Sequence, residues 1–554
     1  MTLDDISLQP LAPDLDGTGT TPADAGERSR TPATVAAAVG LAIAVGVVAR
    51  FVTVSPMWLD EALTVNIARL PLDELFEALR HDGAPPFYYL ALHWWMDVFG
   101  SGDVAVRALS GLASAASLPL MWMAGQRLAG GRRWVPWAAV LLLASSPFAI
   151  RYGTEARMYS LVVLLVLAAF LALDTVLQRP SPRAAVGLGL ATGLLLLTHY
   201  WSFFLLTAVG GMLALRWRDA DPVRRAGARR ALTATGAGCL LFLPWLPSFL
   251  EQMRTTGTPW AGPPRPRHFF DVVLQFAGGF FDTALPLGLL LYALLALGLF
   301  GVAVSGAGSG PGPGGGRGPG LVTLDLRGRP PGRTLASVAG LTMLLAIAVG
   351  RVTGSAFAIR YAAVVLPLVL LLAALGSATL SGTGAAVPVL TLAVVLGFVT
   401  AIPHVVGDRT SAGRVAAVLR ADARPGDVVA YCPDQLGPSV GRVLHSGGAS
   451  GAEGASGLVE IPFPRRGPPD LIDWVGYEEA NEAAETEPFA RMLLDRAGPE
   501  RSVWVVWAPN YRTFGAKCQA LLTDLRRLRP TEDRVLAVST STFERPGLVR
   551  YPPG

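Results

Sequence analysis

The feature that most constrains this chain is a succession of apolar runs of membrane-spanning length, with its charges confined to short patches between them. The runs cover 33–53, 104–126, 134–150, 158–178, 184–199, 200–216, 231–250, 284–304, 335–352, 361–380 and 387–403. None alternates with the two-residue period of a barrel strand. Backbone polar groups in hydrocarbon then have to be satisfied within helices. Only 16% of the 554 residues are charged, against about 25% in soluble domains. The expected fold class is an α-helical polytopic membrane protein with about 11 transmembrane helices.

The stretch 184–216 is the ambiguous one, because Thr198-His199-Tyr200 interrupts it and each half is shorter than the ~20 residues of a usual span. Arginine placement arbitrates. Two crossings put Arg179 and Arg183 on the same side as Arg216, Arg218, Arg224, Arg225, Arg229 and Arg230. Arg127, Arg132, Arg133, Arg317, Arg327, Arg329 and Arg333 join them there. The positive-inside rule makes that side cytoplasmic. An odd number of spans sets the two ends of the chain on opposite sides of what we expect to be the cell (plasma) membrane. The net charge of +5 lies in these short loops, so it reads as topology, and no nucleic-acid partner is expected.

Three regions follow from this reading. Residues 1–32 are expected to form a disordered cytoplasmic tail. Residues 33–403 form the transmembrane domain, with 54–103 as its first external loop and 305–334 as a flexible cytoplasmic loop. The Gly/Pro stretch Pro311 to Gly320 has no Gly-Lys-Ser/Thr ending to cradle a phosphate, so a linker is the reading. Residues 408–554 change character: strands at Asp427–Cys432, Leu458–Phe463, Ser502–Ala508 and Arg534–Thr540 alternate with helices at 411–422, 478–497 and 515–528. That alternation predicts an extracytoplasmic α/β domain, with Ser446 to Gly457 as a surface loop.

Within the first external loop, Leu72, Leu75, Phe76 and Leu79 recur at helical spacing, with Asp73, Glu74 and Glu77 opposite. Such a helix suits the membrane surface, and Phe87, Tyr88, Tyr89, Trp94 and Trp95 suit the headgroup layer. Cys239, Cys432 and Cys518 are too few for a disulfide framework or a zinc site. Cys432 and Cys518 can pair only if the fold brings them together.

Charged residues at the outer boundary carry the chemistry. Asp60 and Glu61 directly follow the first span, where two adjacent carboxylates are costly to desolvate; a water-facing helix start is the plainer explanation. Arg151-Tyr152-Gly-Thr-Glu155-Ala-Arg157-Met-Tyr159 lies between the third and fourth spans. Arg151 and Glu155, four apart, suit an ion pair, whereas a guanidinium facing a polar cavity suits phosphate. Arg107, Arg351 and Arg360-Tyr361 are further cations at the same boundary, against the topology bias. His81, His93, His199, His268 and His404 fall near the outer side without a ligand-spaced pair.

Together these segments resemble the type-C membrane glycosyltransferases, specifically the bacterial branch of the dolichyl-phosphate-mannose-protein mannosyltransferase-like family. The resemblance spans roughly 33–403. It rests on Trp58-Leu-Asp60-Glu61, Ala84-Pro-Pro-Phe-Tyr-Tyr89, Val106-Arg107-Ala-Leu-Ser110, Glu155-Ala-Arg157-Met-Tyr159, Thr198-His199-Tyr200, and Arg360-Tyr361 followed by Pro367. It implies that Asp60 is the general base, with Glu61 supporting it or sharing a divalent metal. It further implies that Arg107, Arg157, Arg360 and Tyr361 bind the donor phosphate, with Glu155, Tyr159, His199 and Tyr200 in support. The implied donor is a polyprenyl-phosphate-linked sugar, mannose- or arabinose-like, and the acceptor a glycan, lipid or protein of the cell envelope. Two departures stand out. Ala84 occupies the place where relatives carry histidine before Pro-Pro, which leaves His81 without an implied role. The tail also lacks β-trefoil character, so a protein acceptor does not follow.

A transporter or flippase of lipid-linked glycans is the alternative. It predicts internal repeats and helices broken near the midplane; the sequence has no such repeat. A membrane anchor displaying the tail as a binding module would leave the Asp60 and Glu155 clusters without a purpose.

Overall fold

The computed structural model describes residues 33–256, 261–279, 283–304, 321–328, 330–354, 357–445, 457–464, 466–509, 511–539 and 542–554. The expected tail 1–32, the stretch Pro311 to Gly320 and nearly all of the loop Ser446 to Gly457 lie outside them. Six helices are long and apolar enough to cross a membrane, and a seventh crossing comes from Trp134–Ala144 and Pro147–Gly153, bent by 51°. Four shorter apolar helices, Ala33–Ala49, Pro182–Thr198, Ser202–Trp217 and Ala284–Phe300, coincide with the remaining expected runs. By length and composition alone, six helices among the described residues qualify, or seven if the bent pair is one crossing, so the expected count of 11 is not confirmed. Leu41, Val186, Leu190 and Leu289 point outward from the bundle, a distribution suited to lipid.

The helix Leu366–Thr379 is buried along its whole length. It has no polar face, so it takes the centre of the bundle. Close approach depends on reciprocal glycines. A Cβ on Gly376 would collide with the Leu294 carbonyl, and one on Gly298 with that of Leu372, so small residues let the two backbones touch.

The bend at 145–146 also has a local cause. Pro147 cannot donate to the preceding turn, and the Ser146 hydroxyl accepts the Ala149 N–H at 3.2 Å, restarting a helix. The freed carbonyls need donors. Arg50, fully buried, donates to Leu143 O at 2.6 Å, Ala144 O at 2.9 Å and Ser114 Oγ at 2.9 Å. The bend leads the chain into the turn 154–157.

Two expectations for external and cytoplasmic segments change. Leu75 and Leu79 of the helix Leu72–Asp82 are buried, and Phe76 meets Trp245 at 6.1 Å. This apolar face packs on protein because the kinked segment Leu240–Trp245 and the C-terminal domain close over it. Tyr88 and Tyr89 are likewise buried, leaving Trp94 exposed. Within 305–334, Leu321–Leu324 (β2) pairs antiparallel with Gly301–Val304 (β1), and the helix Pro330–Thr353 begins inside the expected loop.

The C-terminal domain holds a five-stranded sheet formed by Val428–Cys432 (β3), Val459–Pro462 (β4), Val503–Trp507 (β5), Asp533–Leu536 (β6) and Gly547–Tyr551 (β7). Their order is β4-β3-β5-β7-β6. The first three are parallel, and β7 runs antiparallel to both β5 and β6. Val428, Ala430, Val503 and Val505 pack on one face and Val429, Tyr431, Trp504 and Val506 on the other, as a doubly covered sheet requires. The expected helix 478–497 is two helices, Tyr477–Ala483 and Thr486–Ala497. The fold does bring Cys432 to Cys518, and they form a disulfide.

The domain sits on the external loops through specific bonds. Arg442 reaches Asp103 at 2.8 Å, Asn66 donates to Asp470 O at 2.9 Å, and Phe543 meets Trp58 edge-on at 5.2 Å. Glu544 accepts from Ser439 Oγ at 3.0 Å and from the Thr410 hydroxyl. Burial lifts its carboxyl to about 7, despite the lowering effect of these donors. A carboxyl raised in the folded state stabilises fully below its unfolded value and loses that contribution as pH rises through the folded one. Thermal stability should therefore decline as pH rises through about 7, and Glu544→Gln should flatten that decline. An equally steep decline in Glu544→Gln would contradict the assignment.

Candidate active site

Asp60 lies in the first turn of the helix Leu59–Ala68 and keeps 18% of its side chain exposed. Arg360 Nη2 stands 3.1 Å from Asp60 Oδ2 and Arg157 Nη2 3.8 Å. Arg157 also donates to Thr64 Oγ1 at 2.8 Å and Asp60 O at 3.3 Å. Arg360 Nε donates to the Tyr159 hydroxyl at 3.1 Å, and its guanidinium lies over Trp58 and Tyr361 at 5.7 and 5.8 Å. His199 packs between Tyr361 and Tyr159, at 5.0 and 5.8 Å between ring centres. Its Nδ1 accepts the Trp201 N–H at 3.1 Å, which in the neutral ring leaves the proton on Nε2. The structure thus gathers Asp60, Arg157, Arg360, Tyr159, Tyr361 and His199 at one place.

Glu61 and Arg107 do something else. Glu61 is fully buried and takes Arg107 in a two-pronged pair, Nε and Nη2 each at 2.8 Å. It also accepts the Ala156 N–H at 3.0 Å and lies 3.5 Å from Arg409. Arg107 spends its remaining nitrogen on Ser55 O at 2.9 Å. All three nitrogens are engaged, so the expected phosphate role does not fit Arg107, and the expected catalytic role does not fit Glu61. Burial alone would raise the Glu61 carboxyl, but Arg107, Arg409 and the Ala156 N–H hold it below its ordinary value.

Glu155 accepts from Arg151 Nε at 3.2 Å, the expected four-residue pair, and lies 3.8 Å from Arg409. Tyr200 is not brought to this centre. Its hydroxyl bonds Gln252 and accepts from Trp245 Nε1 at 2.9 Å, and Gln252 in turn holds Leu79 O at 2.7 Å. Tyr200 therefore braces the first external loop. Arg351 ends its helix exposed, apart from the cluster.

Arg409 was not among the expected residues. It donates to Thr154 Oγ1 at 2.6 Å and Thr154 O at 3.2 Å. Its signal in the sequence is faint: one arginine just beyond the last apolar run, at the start of a segment that otherwise reads as soluble. In these ion pairs five arginines (107, 151, 157, 360 and 409) meet three carboxylates, Asp60, Glu61 and Glu155. The cluster therefore carries two positive charges in excess. Arg157 Nε and Arg409 Nε are buried without a hydrogen-bond acceptor among the described residues, and Asp60 Oδ2, although ion-paired, lacks a well-aligned donor.

Among the described residues no group of three or more His, Cys, Asp or Glu side chains is placed to hold a metal ion. Glu61 is committed to arginines and does not fit the metal-sharing role.

The site thus sets three carboxylates among five arginines in a helical membrane domain roofed by a small sheet domain. The model of the dolichyl-phosphate-mannose-protein mannosyltransferase family matches residues 83–246, one part of the chain. The matched segment carries Ala84-Pro85-Pro86, Arg107, Glu155 to Tyr159 and Thr198 to Tyr200; Asp60 and Arg360 lie outside it. The fold is similar to that of ArnT from Cupriavidus metallidurans in the apo state, with TM-score 0.55 and 15% identity over 94% of this chain and 98% of that one. ArnT from the same organism bound to undecaprenyl phosphate gives TM-score 0.52 at 15% identity, with the same coverage of both chains. No curated protein matches the chain.

The division between Glu61 and Asp60 is measurable. Breaking a buried, fully engaged pair costs about 3–5 kcal/mol, so Glu61→Gln should lower thermal stability strongly. Asp60 keeps part of its surface accessible, with 18% of its side chain exposed, and Asp60→Asn should cost clearly less. Equal losses in the two variants would contradict this separation.

Proposed function

We propose that the protein transfers a sugar, mannose- or arabinose-like, from a polyprenyl-phosphate donor to a cell-envelope acceptor on the outer face of the cell membrane. The observation that carries this reading is the convergence of Arg157 and Arg360 on Asp60 within a cluster of net positive charge. Excess buried charge calls for an anion, and a planar guanidinium grips phosphate oxygens well. Arg157 and Arg360 are the phosphate-binding residues in this reading, with Tyr159, Tyr361 and His199 shaping the pocket around them.

In the proposed step, phosphate binding draws the two guanidinium groups from Asp60. Asp60 takes the proton of an acceptor hydroxyl, and that oxygen attacks the anomeric carbon. The bond from this carbon to the phosphate oxygen breaks, and its electron pair leaves with the polyprenyl phosphate. The leaving phosphate gains a negative charge, which Arg157 and Arg360 stabilise. A single displacement inverts the anomeric centre.

Three observations support the outer location. The short inter-helix loops that carry Arg127 to Arg133, Arg179 and Arg183, Arg216 to Arg230, and Arg317 to Arg333 gather arginine on the opposite side. The disulfide Cys432–Cys518 suits an oxidising compartment, which supports an extracytoplasmic C-terminal domain in this reading. Nucleotide sugars do not cross a bilayer unaided, whereas a polyprenyl phosphate keeps its tail in hydrocarbon and its sugar at headgroup depth. A protein of similar fold holds undecaprenyl phosphate, which agrees with such a donor. A transporter or flippase would not need a carboxylate poised between two guanidinium groups at one boundary.

Purified protein should transfer sugar from polyprenyl-phosphate donors and ignore the matching nucleotide sugars. Asp60→Asn should lower the rate by about 10²–10⁴-fold, the usual range for loss of a general base, while folded protein still accumulates. Efficient transfer from a nucleotide sugar alone, or near-normal turnover by Asp60→Asn, would refute the reading.

A further inference from the structure

The first external loop and the C-terminal domain bring further side chains near Asp60. Asp82 ends the helix Leu72–Asp82 and stands in the fields of both Arg157 and Asp60. Tyr89 donates its hydroxyl to Asp82 Oδ2 at 2.8 Å. Trp474, from the C-terminal domain, lies beside the same carboxylate. It is fixed there by its backbone N–H, which donates to His81 O at 3.2 Å. Tyr511, also from the C-terminal domain, lies near Glu544, Asp60 and Asp434.

Trp58 supplies an independent sign of a missing ligand. It is 4% exposed and sits between Arg360, over its ring at 5.7 Å, and Phe543, edge-on at 5.2 Å. Its indole N–H donates to nothing among the described residues. A buried donor without an acceptor is costly, so an oxygen from a bound molecule is what this position lacks. Asp60, the proposed base, is two residues away.

We propose that the acceptor binds between the first external loop and the C-terminal domain, and that it is an uncharged, hydroxyl-rich glycan contacted by Asp82, Trp58, Trp474 and Tyr511. A carboxylate accepts hydroxyl donors, the indole N–H meets a hydroxyl oxygen, and aromatic faces cover the apolar faces of sugar rings. An anionic acceptor would instead bring its charge against Asp82 and Asp60, which disfavours it. Burial raises the Asp82 carboxyl above its ordinary value, and hydroxyl donors would replace the water it has lost. The donor then approaches from the arginine wall and the acceptor from this one, with Asp60 where they meet.

This inference rests on the sugar-transfer reading, and the experiment separates the two. Full-length protein in lipid nanodiscs is given polyprenyl-phosphate sugars extracted from the parent cells. The acceptors are neutral and anionic envelope glycans from a strain lacking the protein, separated by anion exchange. Sugar should enter the neutral fraction. Asp82→Asn should raise the acceptor KM by about 10- to 100-fold, the cost of a hydrogen bond to a charged group, while kcat and the binding of undecaprenyl phosphate hold. Tyr511→Phe should shift the acceptor KM in the same direction, and it decides the matter if Asp82→Asn does not fold. Transfer into the anionic fraction, or an unchanged acceptor KM in the folded variants, would overturn this proposal alone. Failure of the wild type to bind undecaprenyl phosphate would overturn the donor reading and this proposal with it.

Discussion

The fully buried carboxylate of Glu61, gripped by Arg107 and approached by Arg409, ties together four segments distant in the sequence. It fixes the start of the helix Leu59–Ala68, the second span through Arg107, the turn 154–157 through the Ala156 N–H, and the linker to the C-terminal domain through Arg409. Charges at this depth are costly unless paired and hydrogen-bonded, so the pairing strongly restricts how these segments can be arranged. Asp60 follows as a consequence. It is the neighbour of a rigidly held residue and faces the opposite way, towards the cavity. A carboxylate that must give up its ion partners to accept a proton needs a rigid neighbour of this kind.

The remaining architecture serves that placement. The break at 145–146, capped by Arg50, turns the third span so that Glu155 and Arg157 arrive from one side. The buried helix Leu366–Thr379, entered through Ile359–Val365, brings Arg360 and Tyr361 from the other. The C-terminal domain closes the cavity from above. Its contacts with Trp58, Asp103 and the Thr410 segment make it part of the site instead of a separate module on a stalk.

Much of this was legible in the sequence. The apolar runs locate the helices, and the strands β3, β4 and β5 stand out as apolar runs bounded by Pro, Gly and Asp. Asp60, Arg157, Arg360, Tyr159, Tyr361 and His199 are all expected at one boundary and are found together. What sequence position cannot separate is which member of an adjacent pair faces the cavity. Asp60 and Glu61 are equivalent as neighbouring carboxylates; helix geometry alone sends one into the cavity and the other into Arg107. Tyr200 fails for the same reason, one residue from His199 but turned towards Gln252. The amphipathic helix at Leu72–Asp82 has the pattern of a membrane-surface helix because burial under protein and burial in headgroups select the same periodicity. Arg409 carries only a faint local signal, and Asp82 and Tyr511 carry none. They matter only because the C-terminal domain folds back over the loop, a long-range fact.

The central claim is that the excess positive charge beside Asp60 exists for a lipid phosphate. The most direct test is a cryo-EM map of the full-length protein in nanodiscs with undecaprenyl phosphate. The account predicts phosphate density within hydrogen-bond distance of Arg157 and Arg360, the Asp60 carboxylate released from them, and Arg107 still paired with Glu61. Phosphate density away from both arginines, or Arg107 swung off Glu61 to hold it, would contradict the account.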